Sequence, residues 1–311
     1  MTADRGPGTG MPPPLRVLPR RGARRWRTAG AVVVAVLVAA ILHSLWVNPR
    51  LDKQVVLNYL FRDLTLSGLA VTLYLTVLAM LFGIVGGTLL AVMRISKNRV
   101  LSTCANLYLW VFRGTPVLIQ IIFWGYLGAL YPRFDLGIPF TDVVFASVST
   151  DILMTPMVAA LLALGLNEAA YASEIVRAGI LGVDRGQIEA ASSLGMNTGQ
   201  TLRRVILPQA MRSIIPPMGN EAITMLKTTA LVSVIAGKDL LTNLQQVYSQ
   251  NFQVIPLLIV ASIWYMAVTS VLTLFQAFLE RRYGRGTADV GSRGTAGRLF
   301  GIARWKGLKN A

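Results

Sequence analysis

The sequence predicts an all-α integral membrane protein with six transmembrane helices. Three observations lead there. Of the 311 residues, 54% are hydrophobic and only 14% are charged, where a soluble domain carries about a quarter charged residues. The apolar residues gather into runs close to the ~20 residues that a bilayer requires. The lysines and arginines behind the formal charge of +16 sit between and outside those runs, which is how membrane topology is encoded. In a soluble protein that charge would point to nucleic acid; here it points to membrane lipid as the surrounding partner, and no nucleic acid is expected.

Residues 1–28 are rich in Pro, Gly and Arg and show no apolar period, so they read as a disordered cytoplasmic arm. The first span covers 29–47. Arginines before an apolar run also open a signal peptide. This run is longer than a signal core and no small-x-small cleavage site follows it, which favours an uncleaved helix. Residues 48–65 form an extracellular segment, with a short surface helix over 52–63. Further spans cover 66–93, 115–131, 152–177, 214–236 and 254–279. An amphipathic stretch over 101–112 leads into the third span, and 132–151 reads as an outer loop. A basic tail occupies 282–311.

Basic residues set the orientation. Arg94, Lys97 and Arg99 follow the second span; Arg185, Arg203, Arg204 and Arg212 follow the fourth; the tail adds more. The opposite loops hold few. Both termini and the loop over 181–212 are therefore placed in the cytoplasm. A cleaved first span would leave that orientation unchanged.

Several functions are argued against. A single cysteine, Cys104, excludes an internal disulfide and a cysteine-rich metal site. The lone His43 lies in an apolar run without a second ligand, so no metal centre is predicted. No motif pairs a nucleophile with a base. Gly237-Lys238 is followed by Asp239, and Val232 stands where a phosphate-binding loop needs its first glycine. The chain is expected to be non-catalytic and to bind no cofactor itself. No internal repeat stands out, which weakens a secondary-carrier reading.

The loop over 181–212 breaks the apolar pattern with "EAASSLGMNTGQTLRRVILP". Asp184 with Gln187 fits a helix start, and Gly195 fits the left-handed residue that ends a helix. Asn197 with Gln200 repeats the start signal. Pro208, then Pro216 and Pro217, mark the turn back into the membrane. Small residues at 190–193 let another surface approach closely, with Leu194 and Met196 as apolar knobs beside the turn. Composition alone leaves a second reading open, an amphipathic loop resting on lipid headgroups.

The order of residues goes further. Glu189-Ala190-Ala191, then Gly195, then Val205, Leu207 and Pro208 resembles the signature loop of permease subunits of ABC importers. Val205 stands where isoleucine is commoner. "FRGTPVLIQ", "LNEAAYASEIVRAGI" and "LKTTALVSVI" are similar to the polar amino-acid branch, the histidine and glutamine permease type. The resemblance covers about 66–281 and implies a type I importer permease core of five spans, to which the arm and first helix are additions. It also implies a prokaryotic cell membrane, ATPase subunits that carry ATP and Mg, an extracellular substrate-binding protein, and a second permease subunit, identical or paralogous. Glu189, Ala190, Ala191, Leu194, Gly195, Met196, Val205, Leu207 and Pro208 would form the ATPase-coupling loop.

Polar residues inside the spans are candidates for the pathway, because a charge at mid-bilayer costs about 2.5–3.5 kcal/mol on insertion scales. Asn167, Tyr171 and Glu174 share a helix face, as do Asn220 and Lys227, and Arg113 and Gln120. Asn167, Tyr171, Lys227 and Gln120 are the candidate pathway residues. Each has a structural alternative. Glu174 and Arg177 fit an i,i+3 pair, Arg113 an interfacial anchor, Asn167 an interhelical hydrogen bond, and Lys227 a permease–permease contact. The sequence thus predicts the permease subunit of an ATP-driven importer for a polar amino acid or related small solute. A self-sufficient secondary carrier or channel is the alternative.

Overall fold

The computed structural model describes residues 21–48, 51–137 and 144–283. The first 20 positions of the expected arm and the basic tail beyond 283 lie outside the described residues. The chain divides into two units, Met1–Asp52 and Lys53–Ala311. The first contains α1 (Arg21–Val47), whose apolar part is Ala29–Ile41. The helix therefore begins at Arg21, eight positions before the expected start of the first span at residue 29.

The second unit is built from α2 (Lys53–Leu60), α3 (Asp63–Ile95), α4 (Arg99–Gly114), α5 (Val117–Gly125) and α6 (Leu127–Leu130). After an antiparallel pair, β1 (Arg133–Gly137) and β2 (Val144–Ser149), come α7 (Thr150–Leu153) and α8 (Pro156–Leu181). The loop after α8 holds α9 (Arg185–Ser193) and α10 (Thr198–Thr201). Then follow α11 (Leu207–Thr228), α12 (Leu240–Asn251) and α13 (Val254–Tyr283). Among the described residues, α3, α8 and α13 are each long and apolar enough to cross a membrane. Their outward residues are apolar as well: Val271, Leu274, Phe275 and Phe278 of α13 are all exposed, a surface that suits lipid rather than water.

Local chemistry explains the ends. Thr155 caps α8, accepting from Val158 N, and Pro156 sits in the first turn where its missing N–H costs nothing. Asp63 opens α3 and Arg94 closes it, each matching the sign of the helix dipole. The α3–α8 pair forms the centre. Gly83 and Gly87 are four apart, and a Cβ at Gly87 would lie 2.6 Å from Ala172 Cβ. Only small residues allow this approach, which supplies packing where lipid removes the hydrophobic drive. Leu75, Ile121, Leu164 and Met225 complete the core between α3, α5, α8 and α11, joined by Val232 from the 3-10 turn Thr229–Ile235 that follows α11. A second core joins α12 and α13, with Leu240, Leu244, Leu257 and Val260.

Three segments differ from expectation. The run over 115–131 is not one straight helix. Its first piece, α5, has nine residues, a rise of about 14 Å against a hydrocarbon core of about 30 Å. It meets α4 at 97°, so the two form a bent pair. The bend falls at Thr115-Pro116, where proline removes a donor. The segment expected as a loop over 132–151 contains the antiparallel β1–β2 ribbon. Finally, Pro216 and Pro217 do not mark a turn: α11 runs through both. Packed neighbours make such prolines tolerable in membrane helices. A π-helical segment at Leu202–Ile206 leads into α11 just before Pro208.

Candidate functional site

Two places gather the candidate residues. The first is the exposed loop. Asp184 caps α9 by accepting from Gly186 N at 2.9 Å. The helix ends in a Schellman turn: Met196 N donates to Ala191 O at 3.1 Å and Gly195 N to Ser192 O at 3.0 Å. Gly195 has φ of 73°, the left-handed geometry that an ordinary side chain resists. Asn197 and Gln200 form a reciprocal capping box that starts α10. Caps at both ends make this short lever rigid without help from propensity.

The lever sorts its own residues. Glu189 and Ala190 are exposed, and Leu194 is 81% exposed. Met196 and Val205 are half-buried, while Leu207 and Pro208 are exposed at the start of α11. Ala191 is 3% exposed and faces the chain itself, where α9 meets the π-helical segment. Its small side chain seats the lever. Leu194 stands as an exposed apolar knob beside the glycine turn.

The second place is a cavity of about 560 Å³ at the α4–α5 bend, bordered also by α8 and α11. Asn167 and Tyr171 line it; Gln120 and Lys227 do not. Gln120 is buried beneath, and its amide donates to Phe112 O at 3.0 Å and Thr115 O at 3.1 Å. Asn167 Nδ2 donates to Phe112 O at 2.9 Å. The bend strips carbonyls of their helical donors, and these two amides replace them. Asn167 thus holds the bend while bordering the cavity. Lys227 is exposed on α11, a position that suits its alternative reading as a contact between permeases.

Beside the cavity, Glu174 is the centre of a charge cluster. Arg113, Arg94 and Arg177 approach it at 2.9, 3.0 and 3.3 Å. The Arg94 contact is an ion pair by distance and not an aligned hydrogen bond; its Nε donates instead to Asn106 at 2.8 Å. The cluster ties α3, α4 and α8 together, so the i,i+3 pair with Arg177 is one part of it. Arg113 also lies 5.4 Å from the centre of the Tyr171 ring.

Sequence reasoning passed over Glu168 and Glu221. Both line the cavity, and Glu168 is 3% exposed. The signal was available: an acidic residue inside an apolar run is a functional candidate by default. Following one helix face through Asn167, Tyr171 and Glu174 left Glu168, one position on, unnoticed.

Comparison with known proteins places these features. The family model described as "Binding-protein-dependent transport system inner membrane component" matches residues 83–285. An arginine transport system permease protein from Corynebacterium glutamicum is 44% identical over 288 residues, covering 91% of this chain and 88% of the relative. An L-cystine transport system permease protein from Bacillus subtilis is 36% identical, covering 71% and 87%. Among solved structures, an amino acid ABC transporter determined with histidines is 37% identical, with a TM-score of 0.58 over 70% of this chain and 94% of that one. An inward-facing methionine ABC transporter, 20% identical with a TM-score of 0.54, shares the fold.

Proposed function

Because this chain belongs to the family of inner membrane components of binding-protein-dependent transport systems, we propose that it is the permease subunit of an ATP-driven importer for a polar amino acid or related small solute. It is an all-α, multi-pass membrane protein with the fold of type I ABC importer permeases, and an amino acid ABC transporter permease subunit. ATP and Mg belong to separate ATPase subunits. A second permease copy or paralogue would complete the pathway, and an extracellular binding protein would deliver the solute. The excess of Lys and Arg in the loops after α3 and α8 supports cytoplasmic termini in a prokaryotic cell membrane.

The observation that carries this reading is the capped lever with Leu194 and Glu189 exposed on it. ATP binding closes the ATPase dimer, a two-state element. A short helix fixed at both ends passes that displacement on instead of absorbing it. The loop joins α8 to α11, so a pull on it rotates both as rigid bodies. Those helices border the cavity. The polar amino-acid class is supported by the relatives, whose names cite arginine and cystine.

Co-purification tests the docking step. The chain is expressed with its neighbouring ATPase, as wild type and as the double variant Glu189→Arg, Gly195→Asp. Wild type is expected to retain the ATPase and the variant to lose it. A folded, membrane-inserted wild type that captures no ATPase would move the secondary-carrier reading to the front.

A further inference from the structure

The helix α4 does not run beside the long spans; it crosses them. The Ser102 hydroxyl donates to Arg94 O at 3.5 Å, and Arg94 Nε donates to Asn106 Oδ1 at 2.8 Å. Arg113, near the other end of α4, shares Glu174 with that same Arg94. Residues 102–113 rise about 16 Å along α4, yet all these contacts gather at the last turn of α3. The 97° bend to α5 fits this course. On its packed side, α4 seats Ala105 and Leu109 against Leu90 of α3 and Ala169 and Ala170 of α8. Its opposite side is exposed. Val100, Leu107 and Val111 share one face there and form an apolar edge, flanked by Trp110, which is 74% exposed.

Charge on this helix is just as one-sided. Residues 96–114 contain no Asp or Glu. Lys97 and Arg99 are exposed at its start, and neither forms an ion pair among the described residues, where every pair belongs to Glu174. An apolar edge, an exposed tryptophan and unpaired cations are the features of a helix that lies in the plane of a membrane surface. The apolar edge enters the acyl chains, the indole sits at headgroup level, and the cations meet the negative charge of the leaflet.

We propose that α4 is an interfacial helix that binds anionic phospholipid. Lys97 and Arg99 hold the headgroup phosphate, and Val100, Leu107 and Val111 pack against the acyl chains. The basic residues after α3 put this lipid in the cytoplasmic leaflet, so the inference rests on the orientation proposed above and not on transport. Arg113 ties α4 to Glu174 of α8, and α8 borders the cavity. A lipid held on α4 therefore bears on a helix that moves with the lever.

The chain carries its own reporter for a test. Cys104 is its single cysteine and is exposed on α4, so a fluorophore attached there reads this surface. The labelled full-length chain is reconstituted into mixed phosphatidylcholine and phosphatidylglycerol bilayers, in which one lipid or the other carries brominated, quenching acyl chains. The quenching curves should show a preference for phosphatidylglycerol of roughly thirtyfold, about fivefold for each of two cations near the surface. The double variant Lys97→Gln, Arg99→Gln should bring that preference close to one. Both side chains are exposed, so the packing of α4 does not depend on them. Arg282→Gln, at an exposed basic residue of α13, should keep the preference. Equal quenching by both lipids in wild type, or a preference that survives in the double variant, would overturn the proposal. An equal loss in Arg282→Gln would assign the preference to overall charge and overturn it as well. A label that neither lipid quenches would show that a protein surface, such as a second copy of the chain, covers α4 instead.

Discussion

Replacing Glu174 by glutamine removes one negative charge from the middle of three guanidiniums. The cost can be worked from the exposures. Arg113 and Arg177 side chains are 43% and 34% exposed, so each pair contributes about 0.5 kcal/mol, as exposed pairs do. Arg94 is 16% exposed, beside a carboxylate that is 29% exposed. Breaking a fully buried pair costs about 3–5 kcal/mol; at this partial exposure about 1–2 is reasonable. The total is about 2–3 kcal/mol, and glutamine recovers part of the hydrogen bonding but none of the charge. At about 2–4 °C per kcal/mol for a chain of this size, Tm should fall by about 5–10 °C. Thermal unfolding of the detergent-purified protein, followed by tryptophan fluorescence, reads this directly. The same reasoning orders the arginines: Arg94→Ala should cost more than Arg113→Ala. An unchanged Tm for Glu174→Gln, or the reverse order of the arginines, would refute the argument that this cluster clamps α3, α4 and α8.

Three more outcomes follow from single sites. Gly83→Ala forces a carbon to within 2.2 Å of Glu168 Cγ and should cost about 1–3 kcal/mol by overpacking; Gly114→Ala, which has open space around it, should be close to neutral in the same melt. Asp239 caps α12 from a fully buried position, accepting from Leu241 N at 3.0 Å and from the Thr242 hydroxyl. Burial pushes its carboxyl up, against the opposing pull of those hydrogen bonds. A raised folded value means that the folded state holds its proton longer, so this group's contribution to stability is greatest at low pH and declines as pH rises through the folded value. Asp239→Asn keeps the cap without the charge and should flatten that decline in pH-dependent melts, whereas Asp239→Ala should lose about 1 kcal/mol. Lys227→Met should leave ATPase capture intact and lower uptake by weakening the contact between permeases at this exposed position of α11; full uptake would argue against that contact.

What the sequence disclosed, and what it hid, divides by the range of the interaction. The loop was legible because its signals are local: Asp184, Gly195 and the Asn197–Gln200 box each act within a few residues. The long apolar helices α3, α8 and α13 were legible because a bilayer imposes one length. The α4–α5 bend was not, since it depends on amides from Gln120 and Asn167 that meet Phe112 O across 8 and 55 residues. Continuity of α11 through Pro216 and Pro217 likewise depends on helices packed around it. The cavity escaped for the same reason. Glu168 and Glu221 are far apart in sequence, and only the fold brings them to one space. Lys227, chosen for its depth in an apolar run, lies on an exposed part of α11 and not at that space.

The most direct test of the central claim is solute uptake into proteoliposomes containing this chain, its ATPase and its binding protein. Uptake of labelled amino acid should require ATP inside the vesicle and all three components, and it should vanish in the Glu189→Arg, Gly195→Asp variant. Uptake by this chain alone, driven by an ion gradient and indifferent to ATP, would contradict the account and identify a self-sufficient carrier.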